Sequence, residues 1–185
     1  MTSIISSLLT SAGLGVGAGV NAYATMLVFG ILARLRPGMF PDDLARFFSS
    51  TPVLVGLGVL YTIEFIADKV PAIDHVWDLI HTFIRPAAGA LVAWAAVSDQ
   101  IPHGAVIVAS VLAGTAALGS HAVKATVRGV STATTAGLGN PILSLLEDVF
   151  AFVNAILAIF APLLVVIVII LVTIYFLFLG RRARA

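Results

Sequence analysis

The chain alternates long apolar runs with short polar connections, and the runs have the length of membrane helices rather than of core strands. Residues 4–35 are almost uninterruptedly apolar or small. One helix over that stretch would be about 48 Å long against a hydrocarbon core of roughly 30 Å, so a break or strong tilt is expected. The place is GLGVGAGVNAY, where Gly13, Gly15, Gly17 and Gly19 precede Asn21. The same glycines would also serve as a seam for close helix packing. Further apolar segments cover 52–67, 86–97, 101–123, 138–160 and 162–179.

The segment 86–97 is too short to cross alone. Either it joins the polar stretch before it into one full helix, or 74–98 dips into the bilayer and returns. The positive-inside tendency favours the return. With five full spans, Arg34, Arg36, Arg46, Lys124, Arg128, Arg181, Arg182 and Arg184 share one side, and only Lys69 and Arg85 the other. The fold class expected is therefore an all-α polytopic membrane bundle, with five full spans plus a re-entrant or short helix, or else six spans. The chain reads as a single integral-membrane domain, 1–185. A shift of 100 residues aligns GAGVNAYAT (17–25) with ALGSHAVKA (117–125), placing Asn21 opposite His121. Repeats at 3–97 and 103–160 are expected on that basis, inverted with six spans and parallel with five. Residues 161–185 would add a C-terminal span with a basic tail.

Composition agrees with the pattern. Of 185 residues 60% are hydrophobic and the mean hydropathy is +1.11, far above soluble domains. A net charge of +1 gives no nucleic-acid surface, and the absence of cysteine removes disulfides, thiolate ligands and thiol nucleophiles. The N-terminus lacks the basic region of a cleavable signal and is read as retained.

Against this background the ionisable residues are concentrated. Glu64 and Asp68 are four apart and share a helix face until Pro71 breaks the helix. Asp74, Asp78, His81 and Arg85 then follow at intervals of four, three and four, a second stripe. Glu64 lies inside VLYTIEFIA, where an unpaired charge costs roughly 2.5–3.5 kcal/mol, so it marks a functional site by default. A solvated interfacial loop, with Lys69 paired to Asp68 and Arg85 to Asp78 or His81, is the structural alternative. Asp78-x-x-His81 has the spacing of carboxylate and histidine ligands in di-metal bundles, though only one such pair is present. Oxygen-rich ligands with one or two histidines suit magnesium or manganese, and zinc less directly. A second group follows a glycine turn: Asn140-Pro141 starts a helix that places Ser144, Glu147 and Asp148 on one face. Lys124 and Arg128 are natural partners for those acids or for an anionic substrate.

The run Glu64-Phe65-x-Ala67-Asp68-Lys69-x-Pro71-x-x-Asp74-x-x-x-Asp78-x-x-His81, then Arg85-Pro86-x-x-Gly89, with Gly139-Asn140-Pro141-x-x-Ser144-x-x-Glu147-Asp148, resembles the bacterial membrane proteins of domain-of-unknown-function family 4126. The resemblance extends to about Ile159, which would leave the last span as a variable extension. It implies a multi-pass inner-membrane protein and assigns no activity.

The residues favour a small transporter or channel for a cation or a cation-coupled solute. Glu64, Asp68, Asp74, Asp78, His81, Glu147 and Asp148 would bind the ion, with Asn21, His121, Asn140, Lys124, Arg128 and Arg85 as substrate or gating residues. Gly15, Gly17, Gly19 and Pro71 would break the helices. A metal-dependent enzyme acting on a lipid or isoprenoid phosphate and a structural or assembly protein are the other readings. The expected surroundings are membrane lipid in a bacterial inner membrane, with the C-terminus cytoplasmic and the chain a homodimer or trimer.

Overall fold

The computed structural model describes residues 3–69 and 71–182, apart from the side chains of 71–76, 172, 173 and 175–182. Among the described residues there are eight helices and no strand: α1 Ile4–Val20, α2 Ala22–Leu35, α3 Asp43–Ser49, α4 Thr51–Ala67, α5 Pro71–Val97, α6 His103–Thr135, α7 Asn140–Phe160 and α8 Pro162–Arg182. α6, α7 and Trp77–Val97 of α5 are each long and apolar enough to cross a membrane, and α3 with α4 passes as one span bent by 62°. The outer surface is apolar along its length: Ile66 on α4, Phe83 on α5, Val111 and Val130 on α6 and Leu146 on α7 are all exposed. In water such a surface would drive aggregation; in lipid it is the solvated face.

Local signals set the helix ends. Ser3 caps α1 by accepting from the Ser6 amide, and Asp42 caps α3 by accepting from that of Leu44. α6 stops where Ala136 (φ 52°) and Gly137 (φ 85°) enter the left-handed region, and Pro141 then sits in the first turn of α7. Pro71 opens α5 four residues after Ala67 ends α4. The 27-residue α5 continues unbroken through Pro86. The polar stretch and the short apolar one are thus a single long helix, so the return expected at 74–98 does not occur there.

Contact registers give the helix directions. α1 and α6 run the same way: Gly15 meets Ala113 and Gly19 meets Ala117, while Ser120 Oγ donates to Val16 O at 3.0 Å. α7 runs against α1, with Gly13 on Ala158 and Asn154 Nδ2 donating to Gly13 O at 2.8 Å. α4 also runs against α7, because Tyr61 packs on Phe152 and Lys69 reaches Ser144; α4 is therefore parallel to α1. α2 runs against α4, since Gly30 lies on Leu54 and Arg34 Nη1 donates to Thr51 Oγ1 at 3.1 Å. At Asn21 the chain accordingly turns back toward the end of the bundle where α1 began.

The break falls on Asn21 alone, which is extended (φ −146°, ψ 107°). Gly15, Gly17 and Gly19, expected to form the break, lie inside α1 and make its close contacts instead. A Cβ on Gly15 would stand 2.2 Å from Ala113 O, one on Gly19 2.1 Å from Ala117 O, and one on Gly17 2.7 Å from Asn154 Nδ2. Residues 17–20 pack along α6 near 117–124 in the same direction, but the first segment reverses at Asn21 whereas α6 passes unbroken through His121.

Gly19→Ala should destabilise the protein by about 1–3 kcal/mol or more, the cost of overpacking against backbone, despite the better helix propensity of alanine. Gly119→Ala, whose Cβ meets nothing within 4 Å, should leave the melting temperature in detergent unchanged or slightly higher.

Candidate functional site

Breaking a helix inside a bundle strands backbone groups. The carbonyls of the last turn of α1 lose their intrahelical donors and carry the negative end of its dipole. Here the break itself supplies one donor, the Asn21 amide, to Gly17 O at 2.9 Å. Two cations from other helices supply more. Arg85 Nη1 of α5 donates to Gly19 O at 3.3 Å, and Lys124 Nζ of α6 to Val20 O at 3.1 Å. On the other side of the break, Asn21 Oδ1 caps α2 by accepting from the Ala24 amide at 2.9 Å. Its Nδ2 donates to Asp148 Oδ1 at 2.9 Å.

Each cation brings acids with it. Arg85 and Glu64 are fully buried and paired at 2.9 Å, and Arg85 also lies 3.3 Å from Asp78. Asp68 Oδ2 accepts from Lys124 at 3.2 Å and from Arg128 at 2.8 Å. Glu147 is held by Arg128, whose Nε lies 3.1 Å from both carboxylate oxygens, and by Lys124 at 3.4 Å. Lys69, expected to pair with Asp68, instead donates to Phe65 O at 2.9 Å and sits 3.1 Å above the Phe65 ring centroid. The solvated-loop alternative is thus replaced by a buried network spanning α1, α4, α5, α6 and α7.

The chemistry of the partners assigns the two histidines. Arginine only donates, so His121 Nδ1, in contact with Arg85 Nη1, accepts, and its Nε2–H donates to Thr82 Oγ1 at 3.1 Å. His81 Nδ1 lies 2.8 Å from Trp77 O and must donate there, which leaves Nε2 without a hydrogen. Nε2 has no partner, and the same holds for Glu64 Oε2, Asp68 Oδ1 and Asp148 Oδ2, all buried. Several empty acceptors and an excess of acid therefore surround the break: Glu64, Asp68, Asp78, Glu147 and Asp148 face Lys69, Arg85, Lys124 and Arg128.

The expected site residues are mostly brought together. Asn21, Glu64, Asp68, Asp78, Arg85, His121, Lys124, Arg128, Glu147 and Asp148 form one connected set, and His81 lies against Tyr23 beside it, ring centroids 5.4 Å apart. Asn140 is not part of it: two turns from Asp148, it donates to Thr132 Oγ1 at 2.9 Å and ties α6 to α7. The side chain of Asp74 lies outside the described residues. Asp78 and His81, one turn apart, do not act as a pair, since Asp78 turns to Arg85 and His81 to Trp77 O. Among the described residues no three His, Asp or Glu side chains group as metal ligands. Sequence reasoning missed Thr82, Ser120 and Asn154. The first two read as ordinary helix hydroxyls, whereas Asn154, an amide in the apolar run AFVNAIL, was a legible signal.

Long apolar helices with an apolar outer surface define a helical membrane protein, and this one encloses a buried, nearly charge-balanced polar network at a helix break. Residues 8–182 match the family described as Domain of unknown function (DUF4126), and the chain belongs to it. The match runs through α8, so the last helix is within the family's extent and is not an extension beginning near Ile159. No curated protein and no solved structure matches the chain.

Removing one member of a buried pair strands the other. Asp68→Asn leaves Lys124 and Arg128 sharing Glu147 and should cost roughly 3–5 kcal/mol. Asp78→Asn should cost clearly less, because Arg85 keeps Glu64 and Asp78 is 14% exposed. Thermal unfolding of the two variants in one detergent checks the order.

Proposed function

We propose that this protein is a small membrane transporter or channel for a cation or a cation-coupled solute, working in a bacterial inner membrane with its basic C-terminal tail in the cytoplasm. The observation that carries the reading is the cluster of partnerless buried acceptors at the tip of the α1/α2 turn. Non-helical backbone at membrane depth is tolerated where it is enclosed by protein, and interrupted helices with ionisable neighbours near the bilayer midplane are how secondary transporters hold ions. The tip lies within the apolar belt, since exposed Val127 and Val130 on α6 continue beyond the level of His121 and Lys124. α1 and α2 then form a re-entrant pair that enters and leaves on one side. The excess carboxylate is the charge a bound cation or proton would balance.

The phosphate-enzyme reading has less support. Lys124, Arg128 and Arg85, which would hold a phosphate, are already engaged by carboxylates and by the α1 carbonyls.

Two measurements test the proposal. In proteoliposomes carrying an internal pH dye, gradients of proton, sodium, potassium and ammonium should reveal a flux above that of empty vesicles. Glu64→Gln should lower that flux to the empty-vesicle rate while leaving folded protein in the membrane; a variant that transports normally removes Glu64 from the site. The topology is checked with single cysteines, as the chain has none of its own. Cysteines at Gly38 and Gln100 should react with an impermeant maleimide from the same side of the membrane, and one at Leu138 from the opposite side.

A further inference from the structure

We propose that the cation handled at this site is a proton, held in turn by His81 Nε2 and Glu64 Oε2. The inference rests on the transport reading for its purpose, but its observations are local. Both side chains are buried, at 1% and 0% exposure, and each presents one atom with no partner in the fold. One of those atoms is a basic nitrogen and the other a carboxylate oxygen; His81 stands one helical turn before Arg85 on α5, and Arg85 is the residue that Glu64 holds at 2.9 Å, so the pair offers a proton two successive positions. Neither position requires an existing hydrogen bond to break.

Asp68 Oδ1 and Asp148 Oδ2 are also without partners, but no unpartnered histidine nitrogen stands with them, and the surrounding basic groups have no such freedom. Arg85 and Arg128 do not release protons near neutral pH. Lys124 is engaged by Asp68, Glu147 and Val20 O. A proton added to His121 Nδ1 would place an N–H against the Arg85 guanidinium. Facing His81 are Tyr23 from α2, Trp77 from its own helix and the charged groups Glu64, Arg85 and Lys124 from α4, α5 and α6. Asp78, one turn before, is turned to Arg85.

The step balances within the pair. A proton from water on Nε2 converts the imidazole to imidazolium while Nδ1–H stays on Trp77 O. Its passage to Glu64 Oε2 restores the neutral ring and leaves a carboxylic acid, with Arg85 still facing Asp78. Loss of the Glu64 charge weakens the Arg85 contact that also holds Gly19 O, which links the proton to the tip of α1.

Trp77 supplies a reporter. Its ring lies 5.0 Å from that of His81 at an interplanar angle of 30°, and an imidazolium so placed quenches indole emission where a neutral imidazole does not. The chain has two tryptophans, so full-length Trp94→Phe protein in detergent leaves Trp77 as the sole indole, excited selectively over the tyrosines at the red edge of its absorption. Emission should fall on acidification through a single one-proton step. That step should be lost in His81→Gln, persist in Asp148→Asn, and move by on the order of one pH unit in Glu64→Gln as a neighbouring charge is removed. If His81→Gln does not fold, the Glu64→Gln shift carries the test. A flat Trp77 signal between pH 4 and 9, or a step lost in Asp148→Asn and kept in His81→Gln, overturns the proton pair and leaves the transport reading standing. A titrating Trp77 in protein that moves no ion under any gradient supports the proton site and overturns transport.

Discussion

The carbonyl end of α1, exposed by the turn at Asn21, is the constraint on which the rest of the bundle depends. In water these groups would be solvated at little cost; inside an apolar shell each needs a donor. Arg85 and Lys124 meet that need, and their charges could not be buried without acids beside them. Glu64, Asp78, Asp68 and Glu147 are thus required by the cations, which are required by the break. The polar network follows from one interrupted helix.

The same constraint explains the glycines. Arg85 and Lys124 reach the end of α1 only because α1 lies against α6 at backbone contact, with Gly15 and Gly19 over Ala113 and Ala117. Side chains there would separate the helices by several ångströms and pull the donors away. The seam and the ion network are one device, the first setting the distance over which the second acts.

Balance in the network is incomplete. A purely structural network would be expected to leave few buried acceptors empty. Here Glu64, Asp68, Asp78, Asp148, Asn140 and His81 each keep one, and all but Asn140 belong to the network around the break. Arg85, Lys124 and Arg128 each hold a carboxylate, although Arg85 Nε is itself without a partner.

The sequence by itself determined the class of protein. Apolar runs of membrane length, the interrupted stretch at 4–35 and the acids inside otherwise apolar segments were legible because hydropathy and helical periodicity are local properties. The pairing of Lys124 and Arg128 with Glu147 was also foreseeable from chemistry alone. Only the tertiary structure decided that the chain reverses at Asn21 rather than at 74–98, that the glycines pack rather than break, and that Lys69 turns from Asp68 to a phenyl ring. Direction after a break, and the choice among several opposite charges, depend on which distant helix surfaces can approach closest. No local pattern encodes that.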